Sequence, residues 1–140
     1  MNTYDPNLIP RKDYFIVGQK AIVYNEQKQL LLLKRAEKSG SGGRWSLPGG
    51  ALEKDEDPIE GIKREIMEET ELEVLNINPF GIRSYKNNED SVIIVGYSCS
   101  AKTTVPKLNW EHTAYEWLSR EEALKKELTS DGRYFLECSS

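Results

Sequence analysis

The segment "REIMEET", residues 64–70, places Glu65, Glu68 and Glu69 within five positions. On a helix these three stand at i, i+3 and i+4, where like charges repel by roughly 0.2–0.5 kcal/mol per pair. Solvent, neighbouring Lys and Arg, or a bound cation could offset that repulsion. At about 100° per residue, Ile59, Ile62 and Ile66 share an arc of about 60°, and the three glutamates share an adjacent arc of about 100°. The carboxylates therefore lie at the border of the core, where water is partly excluded. They also sit in the C-terminal half of the helix, where the backbone dipole disfavours negative charge. Hard oxygen donors of this kind suit Mg²⁺ or Mn²⁺, and the lack of His or Cys among them disfavours zinc.

The helix that must carry them is well marked. "DPIEGIKREIMEET" (57–70) opens with Asp57 as N-cap, Pro58 in the first turn and Glu60 three residues after the cap, the pattern of a capping box. Before it, "YFIVGQKAIVYN" (14–25) and "LLLLKR" (30–35), joined by "NEQKQ", predict a β-hairpin. "AEKSGSGGR" (36–44) predicts a mobile polar loop. It lacks the spacing of a phosphate-binding P-loop. "WSLPGGAL" (45–52) predicts a short strand stopped by Pro48, Gly49 and Gly50. After the helix, 72–86 and 91–101 predict two antiparallel strands turned by "NNED". A short strand follows near Tyr115–Leu118. A second helix over 119–128 is capped by Ser119, with Glu122 at its third position. Residues 1–12 read as an extended lead-in, and the tail after 128 carries no clear pattern. The sum is an α+β fold, an α/β/α sandwich around a mixed sheet, with residues 1–140 as one domain.

Composition bounds the function. The chain has 140 residues, 38% hydrophobic and 30% charged, with net charge −4. That excludes a broad basic surface coating nucleic acid but leaves room for small phosphorylated ligands held by a few cations. Cys99 and Cys138 have no partner at metal-site spacing and read as ordinary thiols. No apolar run approaches the roughly 20 residues of a membrane span, and the N-terminal segment, lacking an apolar core, is not expected to be a signal peptide. The expected location is cytoplasmic, as monomer or homodimer.

Residues 50–72, "GALEKDEDPIEGIKREIMEETEL", resemble the Nudix box, G-x5-E-x7-R-E-U-x-E-E-x-G-U, where U is a bulky aliphatic residue. Gly50, Glu56, Arg64, Glu65, Ile66, Glu68, Glu69 and Leu72 match, whereas Glu71 stands where the family has Gly. "RWSLPGG" and "EHTAYEWLSREEAL" (111–124) are also similar to family members, so the resemblance runs from Tyr14 to Leu128. It implies a Nudix fold and divalent-metal hydrolysis of a nucleoside diphosphate linked to another moiety. Carried over by position, it makes Glu65, Glu68 and Glu69 metal ligands together with the Gly49 carbonyl. It has Arg64 orient the glutamates, and Glu56 pair with Arg64 or support an outer metal water. Glu68 or Glu65 is the expected general base, with Glu111 as alternative base or extra ligand.

The residue chemistry agrees with that reaction. A pyrophosphate bridge repels incoming water, a divalent cation offsets its charge, and a carboxylate accepts the proton. The most favoured substrate is a nucleoside triphosphate split into a monophosphate and pyrophosphate. ADP-ribose, nucleotide sugars, dinucleoside polyphosphates and RNA caps are the alternatives, as is a non-catalytic nucleotide sensor. Arg35 and Arg44, beside the Gly-rich loop, are phosphate candidates or solvated side chains. Trp45 is a base-stacking platform or a core filler. His112, the sole histidine, is a substrate contact or a hydrogen-bonded loop residue. Trp110 and Trp117 read as packing residues. Glu71 falls just past the helix, where a left-handed conformation is common and costs a non-Gly residue about 1–2 kcal/mol.

Overall fold

A computed structural model describes residues 14–38 and 40–139; the lead-in expected over 1–12 lies outside the described residues. The strands are β1 (Phe15–Tyr24), β2 (Leu30–Arg35), β3 (Trp45–Ser46), β4 (Gly49–Ala51), β5 (Val74–Asn87), β6 (Asp90–Ala101) and β7 (His112–Leu118). The helices are α1 (Pro58–Thr70), α2 (Arg120–Leu124) and α3 (Ser130–Cys138). The strands form one mixed sheet along β3-β2-β1-β6-β5, with β4 added to β1 and β7 to β2. This is the α+β architecture expected from the sequence.

The alternation along β1 divides the core in two. Ala21 and Val23 face α1, packing with Leu31, Leu33, Ile62 and Ile66. Ile22 faces the other way, toward Leu30, Leu32, Ala123, Phe135 and Leu136. Helix α1 thus covers one side of the sheet, and α2 with α3 covers the other. Arg83 on β5 fastens α3: its Nη1 stands 3.0 Å from Asp131 Oδ1, and its guanidinium lies over the rings of Tyr85 and Tyr134.

Four local expectations change. The β1–β2 hairpin is held by a single antiparallel pair, Tyr24 opposite Leu30, because β1 instead runs parallel to β6 over ten residues. Gly49 and Gly50 do not stop a strand; they are inside β4, which pairs with Gly18–Lys20 of β1. The strand near 115–118 begins at His112. The helix expected over 119–128 ends at Leu124. Beyond it, the Glu127 carbonyl accepts from Trp45 N–H, the Trp45 carbonyl accepts from Thr129 N–H, and Leu128 bridges to Trp45. Those backbone bonds to β3 compete with helix continuation. The unassigned tail becomes α3, capped by the Thr129 hydroxyl, which accepts from Gly132 N–H.

Candidate active site

Helix α1 forms as its sequence dictates. Asp57 Oδ2 accepts from the N–H groups of Ile59 and Glu60 at 3.1 Å each. The Glu60 carboxylate turns to Lys63 Nζ at 3.4 Å, so the cap is made by Asp57 alone. At the other end Glu71 takes φ 58°, ψ 18°, and its N–H donates to the Met67 carbonyl at 2.9 Å. The left-handed exit of the family's glycine is kept by a glutamate.

The three glutamates share one edge of α1 but differ in setting. Glu68 is exposed. Glu65 is mostly covered, and burial pushes its carboxyl pKa up, opposed by Arg64 and reinforced by the charges of Glu68 and Glu111. Glu69 is 3% exposed. Burial pushes its pKa up to about 7 against the charge of Lys20 and a hydrogen bond from Gly49 N–H, with Glu111 and Glu65 adding to the rise. Glu111 therefore faces the same acidic edge from the chain just before β7, where Asn109 Nδ2 donates to its Oε1 at 3.3 Å.

Arg64 is the hub. Its Nε stands 2.7 Å from Glu56 Oε2, and its Nη2 donates to Glu56 Oε1 at 3.1 Å and to the Ala51 carbonyl at 3.2 Å. Its Nη1 lies 3.1 Å from Glu65 Oε1 and 3.0 Å from Glu68 Oε1. Hydrogen bonding to Glu56 pulls the Glu56 pKa below the usual carboxylate range and pushes that of Arg64 up. Of the two roles open to Glu56, the pairing with Arg64 is the one formed.

Among the described residues no three acidic, His or Cys side chains converge closely enough to hold a metal ion. The reason is visible: Arg64 holds Glu65 and Glu68, while Gly49 N–H donates to Glu69 Oε1 at 2.8 Å. The donor set nevertheless fits a hard divalent cation. It is all oxygen, three carboxylates on one edge with a fourth facing them, and two are desolvated next to like charge. Backbone closes the site from the side: a Cβ on Gly50 would lie 2.5 Å from Glu65 Oε2, so only glycine leaves that carboxylate room.

The other candidates separate. Arg35 pairs across β2 and β7 with His112, which is buried. Burial, then the charges of Arg35 and Lys20, push the His112 pKa down to about 4, so the ring is neutral near pH 7; its Nδ1 has no hydrogen-bond partner among the described residues. Arg44 Nη1 donates to the Leu128 carbonyl at 3.3 Å, a structural tie. Trp45 packs on the α3-side core with Lys126 Nζ 4.7 Å above its ring, which supports its core-filling alternative. Trp117 packs as expected, but Trp110 is 81% exposed rather than buried. Of the "KSGSGGR" segment, residues 40–44 form a turn, with Gly43 N–H donating to the Arg35 carbonyl.

Two residues escaped the sequence reading. Gln19 is buried on β1, with Nε2 donating to the Pro58 carbonyl at 2.8 Å and to the Tyr97 hydroxyl at 2.9 Å. Lys20 follows it, directly opposite Gly49. The available signal was a polar pair interrupting the apolar run "FIVGQKAIVY".

A family model described as the NUDIX domain matches residues 15–137. The chain belongs to the NUDIX family. It is a Nudix hydrolase of nucleoside diphosphate derivatives, acting on pyrophosphate bonds, and Nudix hydrolases generally use divalent metal ions. A MutT-like protein of Streptomyces ambofaciens is 34% identical over 110 residues, covering 79% of this chain and 68% of that protein. An 8-oxo-dGTP diphosphatase of Proteus vulgaris is 34% identical over 53 residues, 38% of this chain and 47% of its own length. Among solved structures, the MutT protein of Methanosarcina mazei Go1 superposes with TM-score 0.79 at 32% identity, covering 91% of this chain and 94% of that one. The Nudix domain of Shewanella oneidensis NrtR, solved with ADP ribose, shares the fold at TM-score 0.75 and 19% identity, over 96% of this chain and 90% of its own. No helix among the described residues is long and apolar enough to cross a membrane.

Proposed function

We infer that this Nudix hydrolase cleaves a nucleoside triphosphate into a nucleoside monophosphate and pyrophosphate, with Mg²⁺ or Mn²⁺ as cofactor. The carrying observation is the edge of α1, where desolvated Glu65 and Glu69 face Glu111 and are braced by the Arg64–Glu56 pair. Resemblance to proteins named MutT-like and 8-oxo-dGTP diphosphatase supports a triphosphate over the other substrates of the family. The intact glutamates oppose a purely sensory role.

Glu65, Glu68 and Glu69 would hold the cation, with Glu111 and the Gly49 carbonyl available to complete the set. A divalent cation held there would supply charge neutralisation at the phosphoanhydride and favour deprotonation of the attacking water. Glu65 takes the proton of the attacking water: burial raises its proton affinity, and it lies inside the edge. Exposed Glu68 is the second choice for that proton. Arg64 keeps both carboxylates on their edge, anchored in turn by Glu56 and Ala51. Arg35, whose charge acts on His112, is the proposed contact for phosphate charge.

The test is a release panel with and without Mg²⁺ over NTPs, dNTPs, oxidised dNTPs, ADP-ribose, nucleotide sugars and dinucleoside polyphosphates, using pyrophosphatase coupling. Metal-dependent pyrophosphate from a triphosphate is the expected result. Turnover of ADP-ribose or a nucleotide sugar alone would replace the triphosphate reading. Tight nucleotide binding without turnover would replace it with the sensor.

A further inference from the structure

A cavity of about 200 Å³ is bordered by Gly18, Lys20, Gly50, Tyr85, Asn87 and Ile94. Neither this cavity nor four larger hollows, of about 260, 410, 230 and 360 Å³, is lined by Glu65, Glu68, Glu69 or Glu111. The small cavity is joined to the glutamates by two residues. Gly50 lines it, and the Glu65 carboxylate fills the place that a Cβ on Gly50 would take. Lys20 lines it and is near enough to Glu69 for its charge to act on that carboxylate. Any molecule lodged in the cavity and reaching the glutamates passes Gly50 and Lys20.

The walls suit one end of a nucleotide. Apolar Ile94 and the partly exposed Tyr85 ring, over which the Arg83 guanidinium lies, offer apolar contact for a base, and the Asn87 amide offers a donor and an acceptor. Lys20 is the only cation among the lining residues. Its ammonium has three N–H donors, and one goes to the Leu47 carbonyl at 3.3 Å. Among the described residues no carboxylate forms an ion pair with it, and its charge acts on Glu69.

We propose that Lys20 binds the phosphate attached to the nucleoside, at the junction between a nucleoside cavity walled by Tyr85 and Asn87 and the glutamate edge of α1. The proposal rests on the nucleotide-hydrolase reading and deepens it. Lys20 acts on the part of the substrate that stays with the nucleoside after cleavage, so its contribution persists in the product complex and without metal.

That property gives a test separate from turnover. Calorimetric titration in excess chelator compares AMP, GMP, CMP and UMP with their parent nucleosides. Wild type should bind the preferred monophosphate about tenfold or more tightly than its nucleoside, the scale of a charge-assisted hydrogen bond. Lys20→Met should remove that preference while leaving nucleoside affinity unchanged, and Lys20→Arg should restore most of it. A preference that is absent in wild type, or that persists in Lys20→Met, overturns the proposal. If Lys20→Met does not fold, Lys20→Gln replaces it with the same expected outcomes. Loss of preference in the variant with no hydrolysis by wild type would keep the Lys20 site and reject the triphosphatase reading. Hydrolysis with an unaltered preference would do the reverse.

Discussion

Arg64 Nε stands 2.7 Å from Glu56 Oε2, and the same guanidinium reaches Glu65 and Glu68 through Nη1. One side chain thus links a carboxylate outside α1 to two on the active edge. Glu56 is 15% exposed at its side chain, so the pair is shielded more than an ordinary surface ion pair. Glu56→Gln keeps the shape and removes the charge that fixes the guanidinium. We expect kcat to fall by about 10- to 100-fold, the range found when a group supporting a ligand is removed, with little change in KM. Wild-type kcat in steady-state assays would refute Arg64 positioning through Glu56.

The two glutamates held by Arg64 should respond differently to loss of charge. Glu68 is 55% exposed at its side chain and Glu65 only 13%. Glu68→Gln should leave thermal stability within about 0.5 kcal/mol, as for exposed positions. Its turnover should still drop by about 10²-fold or more if it is a ligand or base. Glu65→Gln should cost more turnover than Glu68→Gln, because the desolvated carboxylate is the better proton acceptor. Equal, near wild-type rates in both variants, with melting curves unchanged, would remove both from the chemistry.

Burial of Glu69 predicts a pH signature in metal-free protein. Its folded pKa is raised to about 7, above the ordinary 4.5, chiefly by desolvation. The native state therefore holds a proton that the unfolded state releases, and stability falls as pH rises from about 4.5 to about 7. His112 acts in the opposite sense. Its pKa is lowered from 6.5 to about 4, so its contribution is present above 6.5 and is lost as pH falls toward 4. The two slopes oppose each other between about 4.5 and 6.5, so the wild-type melting profile alone hides both. The difference between wild type and Glu69→Gln isolates the carboxylate: in chelator, the wild type should lose stability relative to the variant as pH rises from about 5 to 8. A flat difference across that range would mean that Glu69 is not desolvated in solution.

The sequence made α1 legible because its signals are local. Asp57, Pro58 and the Ile59–Ile62–Ile66 stripe define the start and buried face without tertiary information, and the acidic edge follows from geometry. Strand partners were less legible. The "NEQKQ" turn predicts a hairpin, but the parallel pairing of β1 with β6 joins residues more than 70 positions apart, which a local pattern does not encode. The end of α2 was missed for the same reason, since backbone bonds from Trp45 claim residues 127–129. Lys20 is hard to read from sequence because a lysine beside Gln19 in a strand resembles a solvated edge residue. Only β4 folding back against β1 places it opposite Gly49.

Glu71 yields the prediction with the simplest physics. Its φ of 58° lies in the left-handed region, and its N–H closes the helix onto the Met67 carbonyl. A side chain there crowds the following carbonyl, at a cost of about 1–2 kcal/mol that glycine avoids. Glycine also adds conformational freedom to the unfolded chain, which offsets roughly 0.4–1 kcal/mol of that gain. Glu71→Gly should therefore stabilise the fold by about 0.5–1 kcal/mol. That corresponds to a rise in Tm of about 2–4 °C for a chain of this size. No role in the acidic edge is assigned to Glu71, so kcat should not change. A lower Tm would show that the carboxylate makes a stabilising contact in solution larger than the strain of its backbone.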